Sequence, residues 1–286
     1  MPGRVDVCGS PGGFGAVALL SRRDVGIATT VLVWIGGVLL ADAVPGLGGV
    51  EVARQLVLGA ATWTVLALLL RREPSLVRTQ TLVVVALATC VEYTFSPLLQ
   101  AYVYRIGTVP LFVPPGHGLV YLAALALGRS PLFQRYRRTL VSATVVIGGS
   151  WAVWGVAVSG RVDALGAFWF ACLLGFLAWG PSRMVYVGAF LVVSYLELAG
   201  TALGTWAWAG SDPVLHVIGQ GNPPSGAPGG YGWFDLYALL LSPRLLDVVR
   251  RARGRLVAGR DPGELHDRGE LHDHEQVRVN PGRTGP

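Results

Sequence analysis

Apolar runs of about twenty residues, separated by short stretches of arginine, glycine and proline, fill the chain from Val25 to Val249. A helix rises ~1.5 Å per residue, so about 20 apolar residues cross a hydrocarbon layer of ~30 Å, and each run predicts a transmembrane helix. Eight are expected: Val25–Val44, Val50–Leu70, Thr79–Tyr102, Thr108–Gly128, Thr139–Ser159, Ala164–Gly180, Met184–Trp206 and Gly230–Val249. The last is cut short by Asp235 at one end and by Arg244 and Asp247 at the other.

The loops carry an orientation signal, because arginines in short loops stay on the cytoplasmic side. One alternate set holds Arg22 and Arg23, then Arg71, Arg72 and Arg78, then Arg129, Arg135, Arg137 and Arg138, then Arg183, then Arg250, Arg251, Arg253 and Arg255. The other set holds only Arg105 and Arg161. This predicts both termini in the cytoplasm of a multi-pass cell-membrane protein, and it requires the eighth span. The expected organisation is an N-terminal tail over 1–24, a transmembrane domain over 25–249, and a basic, then low-complexity, disordered tail over 250–286. In that tail Gly-Glu-Leu-His-Asp is repeated across 263–274, a composition too polar to bury a core.

Composition agrees. Of 286 residues, 52% are apolar and 14% charged, against roughly 25% charged in soluble domains, and mean hydropathy is +0.51. The net charge of +6 is spent on loop clusters, as topology determinants are, so the lipid bilayer and not nucleic acid is the expected partner. Lys is absent, which excludes Schiff-base lysine chemistry within this chain. The three cysteines, Cys8, Cys90 and Cys172, lack the paired spacing of a disulfide framework or zinc site. The tail histidines His266, His272 and His274 read as solvated low-complexity sequence, and neither a metal nor a cofactor is expected. Oligomeric state is not legible.

The third and seventh predicted spans each contain one glutamate, Glu92 and Glu197. In both, an arginine stands fourteen residues earlier, a hydroxyl three residues before the acid and another four after it: Arg78, Thr89 and Ser96 around Glu92; Arg183, Ser194 and Thr201 around Glu197. At 3.6 residues per turn the acid and its hydroxyls share one helix face. Aromatic residues follow at alternate positions, Tyr102 and Tyr104 in one half, Trp206 and Trp208 in the other, and then a proline pair, Pro114-Pro115 and Pro223-Pro224. The pattern predicts an all-α bundle of two parallel four-helix repeats, about 25–128 and 139–249.

Each acid lies about 21 Å along the helix from its arginine, inside the hydrocarbon core. A carboxyl at that depth is a functional-site hypothesis, and shelter from water favours its neutral, proton-donating form. His117, in the stretch Pro114-Pro115-Gly116-His117-Gly118, reaches a similar depth from the other direction, so Glu92, Glu197 and His117 are the expected catalytic residues. The stretch is expected to break its helix beside a cavity. The Gly- and Pro-rich loop from Gly210 to Gly230 is long enough to act as a lid. Tyr102, Trp206, Trp208, Asn222, Ser96 and Thr201 are expected to contact a substrate, whereas Tyr231, Trp233 and Asp235 read as boundary anchors and Asp42, Glu51 and Arg54 as a snorkelling charge cluster.

An intramembrane glutamate followed nine to twelve residues later by Tyr-x-Tyr or Trp-x-Trp and then a Pro/Gly-rich stretch, twice over, resembles the membrane carotenoid-biosynthesis family that includes bacterioruberin-type carotenoid hydratases. The similar portions are Glu92–Leu122 and Glu197–Trp233. Small residues of the family pattern are matched by Gly200 and Gly204, while Ser96 through Gln100 differ. The resemblance implies acid-initiated addition of water to a terminal isoprenoid double bond, with Glu92 and Glu197 as acid candidates. Asp-rich diphosphate motifs, HExxH and GxSxG are all missing from the sequence, which argues against prenyl transfer, zinc proteolysis and serine hydrolysis. Two other classes fit the same pattern: a proton-coupled transporter, and a scaffold whose polar helices pack together.

Overall fold

The computed structural model describes residues 13–46 and 49–258. Cys8 and the histidine-bearing tail repeat lie outside the described residues. Nine α-helices are present among them: α1 (Gly13–Ala43), α2 (Gly49–Leu70), α3 (Ser75–Tyr93), α4 (Val113–Arg129), α5 (Pro131–Arg135), α6 (Arg137–Ala157), α7 (Ala164–Trp179), α8 (Arg183–Ala202) and α9 (Ala227–Ala258). Five segments, Arg22–Ala43, Gly49–Leu70, Ser75–Leu98, Arg137–Ala157 and Arg183–Ala202, are long and apolar enough to cross a membrane. The chain is all-α in its architecture and consistent with an integral membrane protein. It divides into a compact unit up to Ser242 and a second from Pro243 onward; the first contains the features described below.

Helix α4 is the hub, packed against α1, α2, α3 and α8. It is apolar all round and therefore buried, with Leu119, Ala123, Ala124 and Ala126 fully enclosed. Small residues let its backbone touch that of α8: a Cβ on Gly188 would stand 2.5 Å from the Ala124 carbonyl oxygen, and one on Gly128 would stand 2.8 Å from that of Met184. Such contacts join helices where no hydrophobic effect is available.

The third and seventh apolar runs stop being helical earlier than their hydropathy suggests. After Tyr93 the chain takes one π turn, Thr94–Leu98, around Pro97, passes through Gln100 at φ 57°, and enters strand β1 (Tyr102–Tyr104). After Ala202 it turns at Gly204, φ 69°, into strand β2 (Trp206–Trp208). The strands pair antiparallel, Tyr102 with Trp208, Val103 with Ala207 and Tyr104 with Trp206. Outside the pair, Arg105 N donates to Thr205 O and Ala209 N to Ala101 O, each at 3.0 Å.

Pro114 and Pro115 do not break a helix; they open α4, in its first turn, where the missing N–H costs nothing. At the opposite end of the bundle Arg129 reaches Asp24 at 2.6 Å and Glu73 at 3.0 Å, and Arg23 reaches Glu73 at 2.7 Å.

Candidate functional site

Successive side chains of a strand alternate in direction, so Tyr102 and Tyr104 point to one face of β1 and Trp206 and Trp208 to one face of β2. Both faces look into the bundle. The hydroxyls of Tyr102 and Tyr104 donate to the same oxygen of Glu92, Oε2, at 2.9 and 2.8 Å. The indole N–H groups of Trp206 and Trp208 donate to one oxygen of Glu197, Oε2, both at 3.1 Å. Both acids are buried, 5% and 3% exposed, and in each one oxygen accepts from two aromatic donors.

The second oxygens differ. Glu92 Oε1 is held by His117 Nε2 at 2.8 Å. The other ring nitrogen, Nδ1, is buried and without a partner among the described residues. Glu197 Oε1 makes no hydrogen bond among the described residues. His117 is clamped by Tyr231, stacked at 5.1 Å, and by the edge of Phe234 at 5.7 Å.

Glu92, Glu197 and His117 line one cavity of about 290 Å³, together with Tyr102, Tyr104, Trp206, Trp208, Trp34, Trp169 and Tyr231. Apart from Thr62, its remaining walls are apolar. Trp34 and Val38 of α1 line both this cavity and a groove on the outer faces of α1 and α2 that also contains Thr29, Thr30, Val33 and Leu58. At that boundary Trp34 Nε1 donates to Thr62 Oγ1 at 3.2 Å.

Three expected contact residues lie off the cavity. Ser96 is buried in the π turn and is not among the lining residues. Thr201 donates to the carbonyl of Glu197 at 2.7 Å, and Thr89 in the other half donates to that of Val85 at 2.6 Å. Thr89 and Thr201 therefore serve helix backbone, Ser194 Oγ has no partner among the described residues, and the carboxylates are left to the aromatic donors. Asn222 accepts the backbone N–H of Trp208 at 3.0 Å and so holds β2 in place.

The Gly210–Gly230 loop supplies only Gly230 and Ala227, both within α9, to the lining; the strand pair covers that side instead. The loop is folded elsewhere. Asp212 accepts four of its N–H groups, from Val214, Leu215, Val217 and Ile218, and these hold its carboxyl down at about 2. Buried Asp163 caps α7 through Gly166 N at 3.0 Å and pins the entry to α9 through Gly221 N at 2.8 Å and Ser225 N at 2.6 Å.

Tyr104, Tyr231 and Trp169 also line the cavity, although sequence reasoning assigns them no contact role. Tyr104 was signalled by its alternation with Tyr102; the other two come from helices whose placement no local pattern reveals. Arg105 binds the Asp42 carboxylate at 3.1 Å and also its carbonyl, while Arg161 binds the carbonyls of Trp208 and Ala209. Each strand is thus pinned by one arginine. Comparison with protein families, with characterised proteins and with solved structures finds no match to this chain.

Proposed function

We propose that the cavity protonates an alkene at the end of a polyprenoid or carotenoid-type lipid and directs water, or an internal alkene, to the resulting cation. The observation that carries this reading is the asymmetry of two buried glutamates in one apolar, aromatic-lined cavity, one fully engaged and one with a free oxygen. Glu197, in its acid form, gives a proton from Oε1 to the terminal alkene carbon. The faces of Tyr102, Trp206 and Trp208 stabilise the cation. The Glu197 carboxylate left behind takes a proton from the attacking water, whose oxygen bonds to the cationic carbon, while His117, held by Glu92, positions the facing wall. Glu197 is thereby reset, and the net change is alkene plus water to alcohol.

A volume of about 290 Å³, at the lower edge of the ~300–1,000 Å³ typical of small-molecule pockets, suits one end of a long lipid. The wall shared with the groove on α1 and α2 supports delivery of that end from the bilayer. The same reading takes α4, α7 and α9 as further spans, for eight in all, in two parallel four-helix units with both termini cytoplasmic. The antiparallel register centred on Val103 and Ala207 is what a two-fold relation between such units would generate.

The test is conversion of polyprenoid alkenes by the purified protein in lipid nanodiscs containing isotope-labelled water. Label in a lipid alcohol, lost in Glu197→Gln, supports the proposal. Substrate-dependent proton uptake into proteoliposomes without any lipid product would replace it with the transporter reading. Intact partner assembly with neither activity would favour a scaffold.

A further inference from the structure

A second group of buried polar side chains lies one helical turn from the cavity, where the proposed chemistry makes no use of it. His117 is the fifth residue of α4 and Tyr231 the fifth of α9. Their rings stack at 5.1 Å and 21°, and both helices begin at the cavity, which Val113 and Ala227 line. Running onward side by side, they place the residues four further along opposite each other, because i and i+4 share a helix face. Those residues are Tyr121 and Asp235. Tyr121 shares one buried cluster with Ala238 of α9 and with Val185 and Ala189 of α8. Tyr186, next to Val185 on the third helix, stacks on Phe176 at 5.1 Å, and Phe176 meets Trp233, two residues before Asp235, at 5.2 Å.

Asp235 is 4% exposed, Tyr121 1% and Tyr186 0%. Asp235 Oδ2 and both phenol oxygens lack any hydrogen-bond partner among the described residues. Buried polar groups are seldom left unpaired, and three converging from three helices imply something between them. An unpaired buried carboxylate oxygen calls for positive charge, since an isolated anion in low dielectric is far costlier than a neutralised one. The donor set is oxygen only and carries one formal charge, which suits a small hard monovalent cation better than a divalent or thiophilic metal. No cluster of three His, Cys, Asp or Glu suited to a divalent ion occurs among the described residues.

We infer that the junction of α4, α8 and α9 holds one monovalent cation, a proton or Na+, on the carboxylate of Asp235, with the hydroxyls of Tyr121 and Tyr186 as neutral ligands. The site is independent of the alkene chemistry. The titratable and charged groups facing it are His117, Tyr121 and Arg129 from α4, Tyr186 from α8 and Tyr231 from α9; α3 and α7 present Val84 and Phe176.

The test uses the full-length protein in lipid nanodiscs, with the unfolding midpoint read by tryptophan fluorescence. Na+ is titrated against choline at fixed pH, and pH is varied in choline alone. Wild type is expected to gain roughly 5 °C or more along one axis; the Na+ axis identifies the metal ion and the acid axis the proton. Asp235→Asn removes that dependence, while Glu92, Glu197 and His117, common to both proteins, cancel in the difference. Tyr121→Phe and Tyr186→Phe, which keep the packed rings, each weaken the apparent affinity by about tenfold. Identical dependence on both axes in wild type and Asp235→Asn overturns the proposal. Should the asparagine variant not fold, unchanged affinity in both phenylalanine variants overturns it equally.

Discussion

Glu92 and Glu197 solve the same problem, a carboxylate buried among aromatic rings, with different parts. Glu92 receives two phenols and an imidazole and has no oxygen left over. Glu197 receives two indoles on one oxygen and keeps the other unengaged. The approach to the strands differs too. Acid and first aromatic are ten residues apart in one half and nine in the other, and the extra residue is taken up by the π turn at Thr94–Leu98, the usual accommodation of a one-residue insertion in a helix. Two residues before each strand the backbone turns left-handed, at Gln100 and at Gly204. The two carboxyls thus share a strand-borne pair of aromatic donors and differ at the second oxygen, held by His117 on Glu92 and free on Glu197.

The sharpest way to break that division is to neutralise the acids singly. Glu197→Gln is expected to lower lipid conversion by about 10²-fold or more, the scale of a lost general acid, in assays at saturating substrate. Glu92→Gln should act through His117, lowering the rate by a smaller factor, because it disturbs a positioning residue and not the proton donor. Equal losses in the two variants would contradict the assignment.

Next in size are the strand anchors. Arg105→Ala leaves the fully buried Asp42 without its arginine and should cost about 2 kcal/mol. Arg161→Ala removes only hydrogen bonds to carbonyls and should cost about 1 kcal/mol. Denaturation of both variants in the same detergent checks the order.

Gly200 sharpens the comparison in a different way, because a Cβ there would meet the indole ring of Trp206. Gly200→Ala should displace that indole and destabilise by about 1–3 kcal/mol, with a red shift in tryptophan emission. The smallest effect is expected at Asp212. Its carboxyl, held at about 2 by backbone N–H groups, titrates below its ordinary 3.8, so its contribution is complete above pH ~4 and fades as pH falls through about 2. Proteolysis of the 212–218 turn should rise over that interval in wild type and be insensitive to it in Asp212→Asn.

Hydropathy located the long lipid-facing helices because their length and apolarity are set by the bilayer itself. It misjudged the ends of the third and seventh runs: Tyr102 and Trp206 are as apolar in a three-residue strand as in a helix, and Pro97 and Gly204 are the only local marks of the change. The acids were conspicuous as lone charges in apolar runs. Tyr102, Trp206 and Trp208 stood out by alternation and His117 by depth, but the hydrogen bond from His117 to Glu92, twenty-five residues away in sequence, follows only from packing of α3 against α4. Asn222, Ser96 and Thr201 drew attention by chemical type, yet each serves the backbone or sits off the cavity. Arg105 and Arg161, the two exceptions in the loop charge pattern, have a structural occupation as anchors of the strand pair.

A lipophilic carbodiimide, which modifies carboxyl groups reachable from an apolar environment, separates the two acids without knowledge of the substrate. Peptide mapping after labelling in nanodiscs should find Glu197 modified through its free oxygen and Glu92 protected by its three donors. Modification of Glu92 to the same extent, or protection of both, would contradict the account.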